Sequence, residues 1–313
     1  AEKLDKRINF NPHNGQNYFS PRKIFNLYKC IKKHDVIHVH LFPPFYIVAI
    51  LSLFLRKKRF IYTEHNTTNS RRRKGFRWFE KIIYSRYDYV ICISDGVYES
   101  LNEWVGDSAN KIIIKNVINT HFIQSITPSS REDLGYTVND VILVMIGRFQ
   151  SQKDQDTIIR ALTELPPHYK LVLIGEGERQ KVLQELVINL QLTDRVNFLG
   201  VKKNVFKILK TCDIGIISSN WEGFGLVALE YMASGLPAIG SNNEGLKEVI
   251  GTEGALFNIG NSKALAQLLL KIIDNIAFRE HILSIQKENL KNFDFQLALQ
   301  KHQLAYTNEL APC

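Results

Sequence analysis

Apolar, often β-branched runs alternate with longer segments of helical character along almost the whole chain. Runs at 35–42 (DVIHVHLF), 59–65 (RFIYTEH), 89–94 (YVICIS) and 111–117 (KIIIKNV) predict four strands. A turn-rich stretch at 119–140 breaks the pattern. It resumes at 141–149 (VILVMIGRF), 170–177 (KLVLIGEG), 196–200 (VNFLG), 214–219 (IGIISS) and 236–241 (LPAIGS). Near-continuous apolar strands separated by helices indicate parallel sheets covered on both faces. The expected class is α/β, with two doubly wound domains over 1–125 and 126–292 and a C-terminal helix over 293–313 returning to the first. Ligands of such folds sit at the C-terminal ends of the strands, and the cleft between domains is the leading place for a substrate. The unusual polar residues fall there: Arg148 after VILVMIG, Glu176 after KLVLIG, Ser218 to Glu222 after IGII, His40 ending DVIHVH and His65 ending RFIYTEH.

The stretch NWEGFGLVALEYMASG, 220–235, holds two glutamates in an otherwise apolar run. Gly223 and Gly225 interrupt regular structure and Leu226 to Ala233 favours helix, so the helix is expected to begin near Gly225. Glu222 then lies in the loop ahead of the helix, and Glu230 more than a turn inside it. Between them the first turn offers unpaired N–H groups and the positive end of the helix dipole, a place for an anion that glycines let come close. Carboxylates do not bind phosphate, so the pair would read hydroxyl groups on such a ligand. A dipole partner at Glu222 and a solvated helix residue at Glu230 form the plainer alternative.

Composition changes this picture little; charge changes it more. The length of 313 residues suits two domains with a substantial core. Cys30, Cys92, Cys212 and Cys313 are scattered without metal-like spacing, which points to a reducing cytosol rather than a disulfide framework. The opening residues AEKLDKRINF carry no secretory leader and do not resemble a natural start, so an upstream portion is expected to be missing. Residues 1–90 hold 19 Lys and Arg against 6 Asp and Glu, a net of +13, while the other 223 residues hold 21 against 25, a net of −4. The basic half suggests an anionic partner: nucleic acid, an anionic membrane surface or a phosphorylated substrate. RKKR (56–59) and RRRK (71–74) hold much of the excess, with a solvated face as the plainer alternative. The segment LFPPFYIVAILSLFL, 41–55, has 11 uninterrupted apolar residues after Pro44, short of the ~20 that span a bilayer. It predicts a buried helix, with peripheral attachment through the basic clusters left open.

GRFQSQKDQDTIIRAL, LVLIGEGE, VNFLG and SSNWEGFGLVALEYMASGLPAIGS together resemble the retaining glycosyltransferases of family 4, whose GT-B fold places two Rossmann-like domains face to face. Glu222 and Glu230 match that family's Glu-x7-Glu motif. The resemblance runs from about residue 35 to the C-terminus, and TEHNTTNSRRR is similar to members that build bacterial surface polysaccharides. The family usually opens with a strand and a glycine-rich loop, often ending Gly-Gly-Ala-Glu. Only AEK is left here, so that strand and its acceptor residues are expected to be missing.

Chemistry and resemblance then assign expected roles. Arg148 and Lys153 can neutralise a diphosphate, the arginine as a fork of donors and the lysine as a movable point charge. Fixed cations and helix N–H groups stabilise the charge that grows on a departing nucleoside diphosphate. No Asp-x-Asp motif occupies a matching position, so no metal or cofactor is expected. The resemblance implies that Glu230 takes the ribose hydroxyls and Glu222 touches the transferred sugar. It gives Gly223, Phe224, Gly225 and Leu226 amide contacts to sugar and phosphate, and places the base near the backbone of Leu199, Gly200 and Val201 with Glu176 and Gly177 nearby. His65 matches a histidine that positions the transferred sugar, a satisfied core histidine being its alternative. His38 and His40 share a strand face. A zinc pair there lacks a third ligand, which leaves His40, with Asn66, as acceptor-cleft candidates.

The expected function is a retaining, metal-independent hexosyltransferase that moves a sugar from a nucleotide donor, UDP-sugar before GDP-sugar, to a saccharide or lipid-diphosphate acceptor. It would work in the cytoplasm, peripherally on the inner face of the cell membrane. A nucleotide-sugar epimerase on the same fold and a basic nucleic-acid-binding protein are the competing classes. No nucleic-acid module is evident, and the N-terminal aromatics lack stacking-platform spacing.

Overall fold

The computed structural model describes residues 19–55, 57–67, 72, 74–307 and 309. The expectation of a missing first strand falls on residues 1–18, outside these, as do Arg56, Arg71 and Arg73 of the basic clusters. Among the described residues the chain forms two all-parallel sheets.

The first sheet has the order β1 (Val36–His40), β2 (Arg59–Glu64), β3 (Tyr89–Cys92), β4 (Lys111–Ile113). Helices α1 (Pro21–Lys32), α2 (Pro44–Ser52), α3 (Arg77–Tyr84) and α4 (Asp95–Val105) accompany it, and α5 (Thr120–Gln124) follows. The segment predicted as a buried helix is α2. It buries Phe45, Ile47, Val48 and Ala49, and leaves Ile50, Leu53 and Phe54 in and just beyond its last turn exposed.

The second sheet is built from β5 (Val141–Ile146), β6 (Tyr169–Ile174), β7 (Val196–Gly200), β8 (Ile214–Ile217), β9 (Ala238–Ser241) and β10 (Leu256–Phe257), in the order β10-β9-β8-β5-β6-β7. It carries α6 (Gln155–Ala161), α7 (Gln180–Asn189), α8 (Val205–Leu209), α9 (Leu226–Ala233), α10 (Glu244–Ile250), α11 (Ser262–Asp274) and α12 (Ile276–Leu290). The strand order reverses between β5 and β8, so the crevice that such sheets reserve for ligands opens at the C-terminal ends of these two strands. All nine predicted strands form. The two-residue β10 has too short an apolar run to be read from sequence.

Local chemistry fixes the elements beside that crevice. Gly215 in β8 leaves room for the Tyr231 ring, which a Cβ would approach to 2.2 Å. The Tyr231 hydroxyl in turn accepts from the Ile146 N–H at 2.8 Å, pinning α9 over the end of β5. A missing side chain on one strand thereby sets the position of the helix. The last helix, α13 (Phe295–Thr307), packs Ala298 and Ala305 against Ile61, Tyr89, Ile91, Ile112 and Ile114 of the first half. Tyr306 reaches His38, and the Arg59 guanidinium donates to the Tyr306 carbonyl. Among the described residues no helix is long and apolar enough to cross a membrane.

Candidate active site

The loops after β5 and β6 lie backbone to backbone because glycines permit it. A Cβ on Gly175, whose φ is 142°, would sit 2.1 Å from the Gly147 carbonyl oxygen, and one on Gly177 2.3 Å from that of Phe149. The Phe149 N–H donates to the Glu176 carbonyl at 3.0 Å, and the Gly175 N–H to that of Gly200 at 3.1 Å. This arrangement walls an open cavity of about 540 Å³, lined by Arg148, Gly175, Glu176, Gly177, Gln180 and Val201. Arg148 is exposed at its edge, its guanidinium without a partner among the described residues. Leu199 and Gly200 end β7 alongside.

The loop after β8 is stitched to the loop after β5. The Ser218 hydroxyl donates to the Asp154 carbonyl at 2.7 Å, and the Asn220 N–H to the Gln152 carbonyl at 2.8 Å. Across that seam Lys153 Nζ meets Glu222 Oε1 at 2.5 Å, and Ser219 Oγ donates to the same oxygen at 2.6 Å. The two charged side chains are only 19% and 10% exposed, so little water screens them. The sequence reading set Lys153 beside Arg148 on a diphosphate; the structure pairs its ammonium with Glu222. Asn243 and Ser241 hold the Ser219 carbonyl from the next strand.

Helix α9 begins where expected. Gly225 caps it at φ 82°, a left-handed conformation, and a Cβ there would also meet Leu246 at 2.5 Å. Leu226 is exposed at its first position, whereas the Phe224 ring is buried against Phe293, leaving only its backbone for a ligand. The Glu230 carboxylate has no hydrogen-bond partner among the described residues, and burial pushes its pKa up. The stretch Asp154-Gln155-Asp156 has Asp-x-Asp form, but Arg179 holds Asp156 through two bonds of 2.6 and 3.0 Å and Asp154 accepts from Thr157. Among the described residues no three His, Cys, Asp or Glu are grouped to hold a metal ion.

The first half brings a histidine cluster to the same place. His40 Nδ1 and His65 Nε2 are 3.1 Å apart, one donating and the other accepting. His38 lies between the Thr63 hydroxyl at 2.7 Å and the Tyr306 hydroxyl at 2.8 Å. Burial, then the neighbouring His40, His302 and His65, pull the His38 pKa down to about 3. Burial likewise lowers His40 and His65, so the rings are neutral near pH 7. The two halves touch at this point. A Cβ on Gly223 would lie 2.3 Å from the His65 carbonyl oxygen and 3.6 Å from Asn66 Cα, and Ser94 Oγ donates to the Gly223 carbonyl at 3.1 Å. His65, Asn66, Gly223, Glu222 and Lys153 thus form one neighbourhood, and Arg148, Glu176, Gly177 and Val201 line the cavity beside it.

Sequence reasoning placed Ser219 at the end of its strand, within Ser218 to Glu222, without giving it a partner, and it missed Gln180, Asn243 and Tyr306. Tyr306 leaves no local signal, because it meets a histidine 268 positions away.

A family model described as Glycosyl transferases group 1 matches residues 127–288, and one described as Glycosyltransferase Family 4 matches residues 3–122. The chain belongs to the group 1 glycosyltransferases. This glycosyltransferase is 26% identical to N-acetyl-alpha-D-glucosaminyl L-malate synthase of Bacillus anthracis, over 88% of this chain and 75% of that protein. It is 26% identical, over 83% and 73%, to a Campylobacter jejuni enzyme named as an N-acetylgalactosamine-N,N'-diacetylbacillosaminyl-diphospho-undecaprenol 4-alpha-N-acetylgalactosaminyltransferase. Among solved structures, Anabaena Alr3699/HepE in complex with UDP and glucose superposes with a TM-score of 0.82 at 22% identity, covering 92% of this chain and 82% of that one. That likeness gives the glycosyltransferase the GT-B fold, two Rossmann-like halves facing across a cleft.

Proposed function

We propose that this glycosyltransferase retains anomeric configuration and moves a sugar from a nucleotide-sugar donor, UDP-linked before GDP-linked, to a saccharide or lipid-diphosphate acceptor in bacterial surface-polysaccharide synthesis. One observation carries the reading: the crevice where strand order reverses gathers an exposed arginine, a shielded Lys153–Glu222 pair and the open first turn of α9. The uridine-type base would lie along Leu199 to Val201 with Glu176 and Gly177, and the ribose hydroxyls would satisfy Glu230. Arg148 and the amides of Gly223 to Leu226 would meet the diphosphate, whose charge rises as the sugar–phosphate bond breaks. Donors already in place for that charge need not reorganise during the reaction. Glu222, oriented by Lys153 and Ser219, would hold hydroxyls of the transferred sugar. His65 would face it from the other half, with His40 and Asn66 toward the acceptor. The Anabaena structure with UDP supports the base, and the Campylobacter relative supports a lipid-diphosphate acceptor.

A thermal-shift screen of UDP- and GDP-sugars tests the donor, since a ligand of the native state raises apparent stability. A rise with a UDP-sugar, followed by its transfer with an unchanged anomeric configuration, is expected. No shift with any of them, or an inverted product, would sink the reading. Arg148→Ala should lower turnover by on the order of 10²-fold or more, and Arg148→Lys should recover only part, lacking the planar fork. Turnover that survives EDTA is expected as well, because the cationic side chains and helix amides supply the positive charge.

A further inference from the structure

The first half carries an apolar ridge outside the site. Helices α2 and α3 lie side by side on one face of the sheet and run in the same sense. The rings of Tyr46 and Phe79 are 5.7 Å apart near one end, and Arg86 Nε reaches Ser52 Oγ at 3.3 Å near the other. Their inner sides share the Phe45, Tyr62 and Tyr84 cluster. Their outer sides expose Ile50, Leu53 and Phe54 after and within α2, and Trp78 with Ile82, one turn apart, on α3. Phe54 is 71% exposed and Trp78 66%, values unusual for side chains that normally dominate cores.

Charge within the stretch that carries the ridge is one-sided, while Asp88 just after it and Glu103 on the neighbouring α4 are exposed acids. Residues 41–87 contain eleven Lys and Arg but only two carboxylates, Glu64 and Glu80. Both carboxylates are buried, at 1% and 0% exposure. Glu64 accepts from the Tyr84 hydroxyl, and Glu80 from Tyr46 and Trp104. The solvent face of this stretch therefore presents no acid, while Lys57, Arg77 and Arg86 are exposed beside the ridge. Arg77 donates to the Trp104 and Glu103 carbonyls and Arg86 to Ser52, while Arg72 is half-buried and donates to the Thr67 carbonyl and to Ser100.

We infer that the α2–α3 ridge docks on an anionic lipid bilayer, with Trp78, Ile82 and Phe54 in the headgroup boundary and the flanking bases on lipid phosphates. A tryptophan at such a boundary keeps its ring in the apolar layer and its N–H wet. A short apolar face alone binds weakly, and neighbouring Lys and Arg add attraction that salt screens. A second protein copy would fit the apolar residues but not the bare cationic rim, because like rims would face one another. The inference accompanies the lipid-linked acceptor reading above. It is measured without donor or acceptor, so either can fail alone.

The experiment mixes the full chain with phosphatidylcholine vesicles that contain or lack phosphatidylglycerol, and reads co-sedimentation and tryptophan emission. Binding to the anionic vesicles at low salt, its loss at high salt and a blue shift absent from Trp78→Phe are expected. The double variant W78S/I82S should bind about tenfold or more weakly, by the apolar area it removes. Lys57→Glu should weaken binding while leaving the apolar ridge whole. Circular dichroism and an unchanged ligand-free melting temperature report whether each variant is folded. Folded variants that bind as the parent does would overturn the inference, as would a parent that ignores anionic vesicles or that sediments as a dimer broken by W78S/I82S.

Discussion

Lys153 and Glu222 are the pair on which the residue-scale chemistry turns. A diphosphate-binding lysine and a sugar-binding glutamate acting separately would give losses that multiply on mutation. The 2.5 Å contact makes them one unit, because each orients the other in a site that excludes most water. Lys153→Ala and Glu222→Ala should each lower turnover by on the order of 10²-fold, and the double variant should fall well short of the product of the two, as steady-state kinetics of all three would show. Multiplicative losses would assign Lys153 to the phosphate alone. Glu230 presents a different balance. Burial raises its carboxyl pKa, so the folded state holds its proton at pH values where the unfolded chain has released it. Stability is therefore lost as pH rises through that interval, and the ionised group destabilises the ligand-free protein at neutral pH. Glu230→Gln should raise the neutral-pH melting temperature by roughly 1–3 °C while weakening donor binding, and the gain should vanish at acid pH. Both glutamates were legible from two glycines and a helical run; the lysine's partner was not, since it lies 69 positions away.

Element by element, legibility followed the strength of the local signal. The nine long apolar strands and the start of α9 at Leu226 came from runs and glycines, which act within a few residues. The reversal of strand order did not, because apolar runs say which segments are strands and nothing of which strands are neighbours. A last helix returning to the first half was expected from sequence, but the residues that α13 meets were hidden, since two alanines give no sign of the sheet they will cover. That helix also carries a pH dependence. His38, with a pKa near 3 against an ordinary 6.5, is held neutral among Thr63, Tyr306, His302, His40 and His65. The unfolded chain binds this proton more readily, so stability is full above the ordinary value and is lost as pH falls below it. Cooling of the melting temperature between about pH 7 and 5 should be smaller in His38→Gln than in the parent, by about 2–4 °C. Equal pH responses in the two proteins would remove His38 as the source.

For the whole molecule, the proposed function requires that two separately built sheets present their strand ends to one ligand. Where the His65 and Gly223 loops meet, the bond from Ser94 and a charged clamp lie close by. Lys115, just past β4, meets Asp95 Oδ2 and Glu248 Oε1 at 2.7 Å each, and the Asp95 N–H reaches Glu248 at 3.3 Å. Asp95 begins α4 in the first half and Glu248 lies on α10 in the second, so one ammonium joins the halves beside the site. The clamp is partly shielded, with Lys115 29% and Glu248 17% exposed, which puts it above an open surface pair and below a fully buried one. Lys115→Met would keep the stem and remove the charge, leaving Glu248 half-buried without its cation. We expect a loss of about 1–2 kcal/mol in stability, together with turnover that falls further than donor affinity, because the donor rests on the second half while transfer needs both. Melting temperature, a donor titration and turnover measured on one preparation would separate these effects. Unchanged turnover in a destabilised Lys115→Met protein would mean that the halves keep their alignment through the Gly223–His65 contact instead.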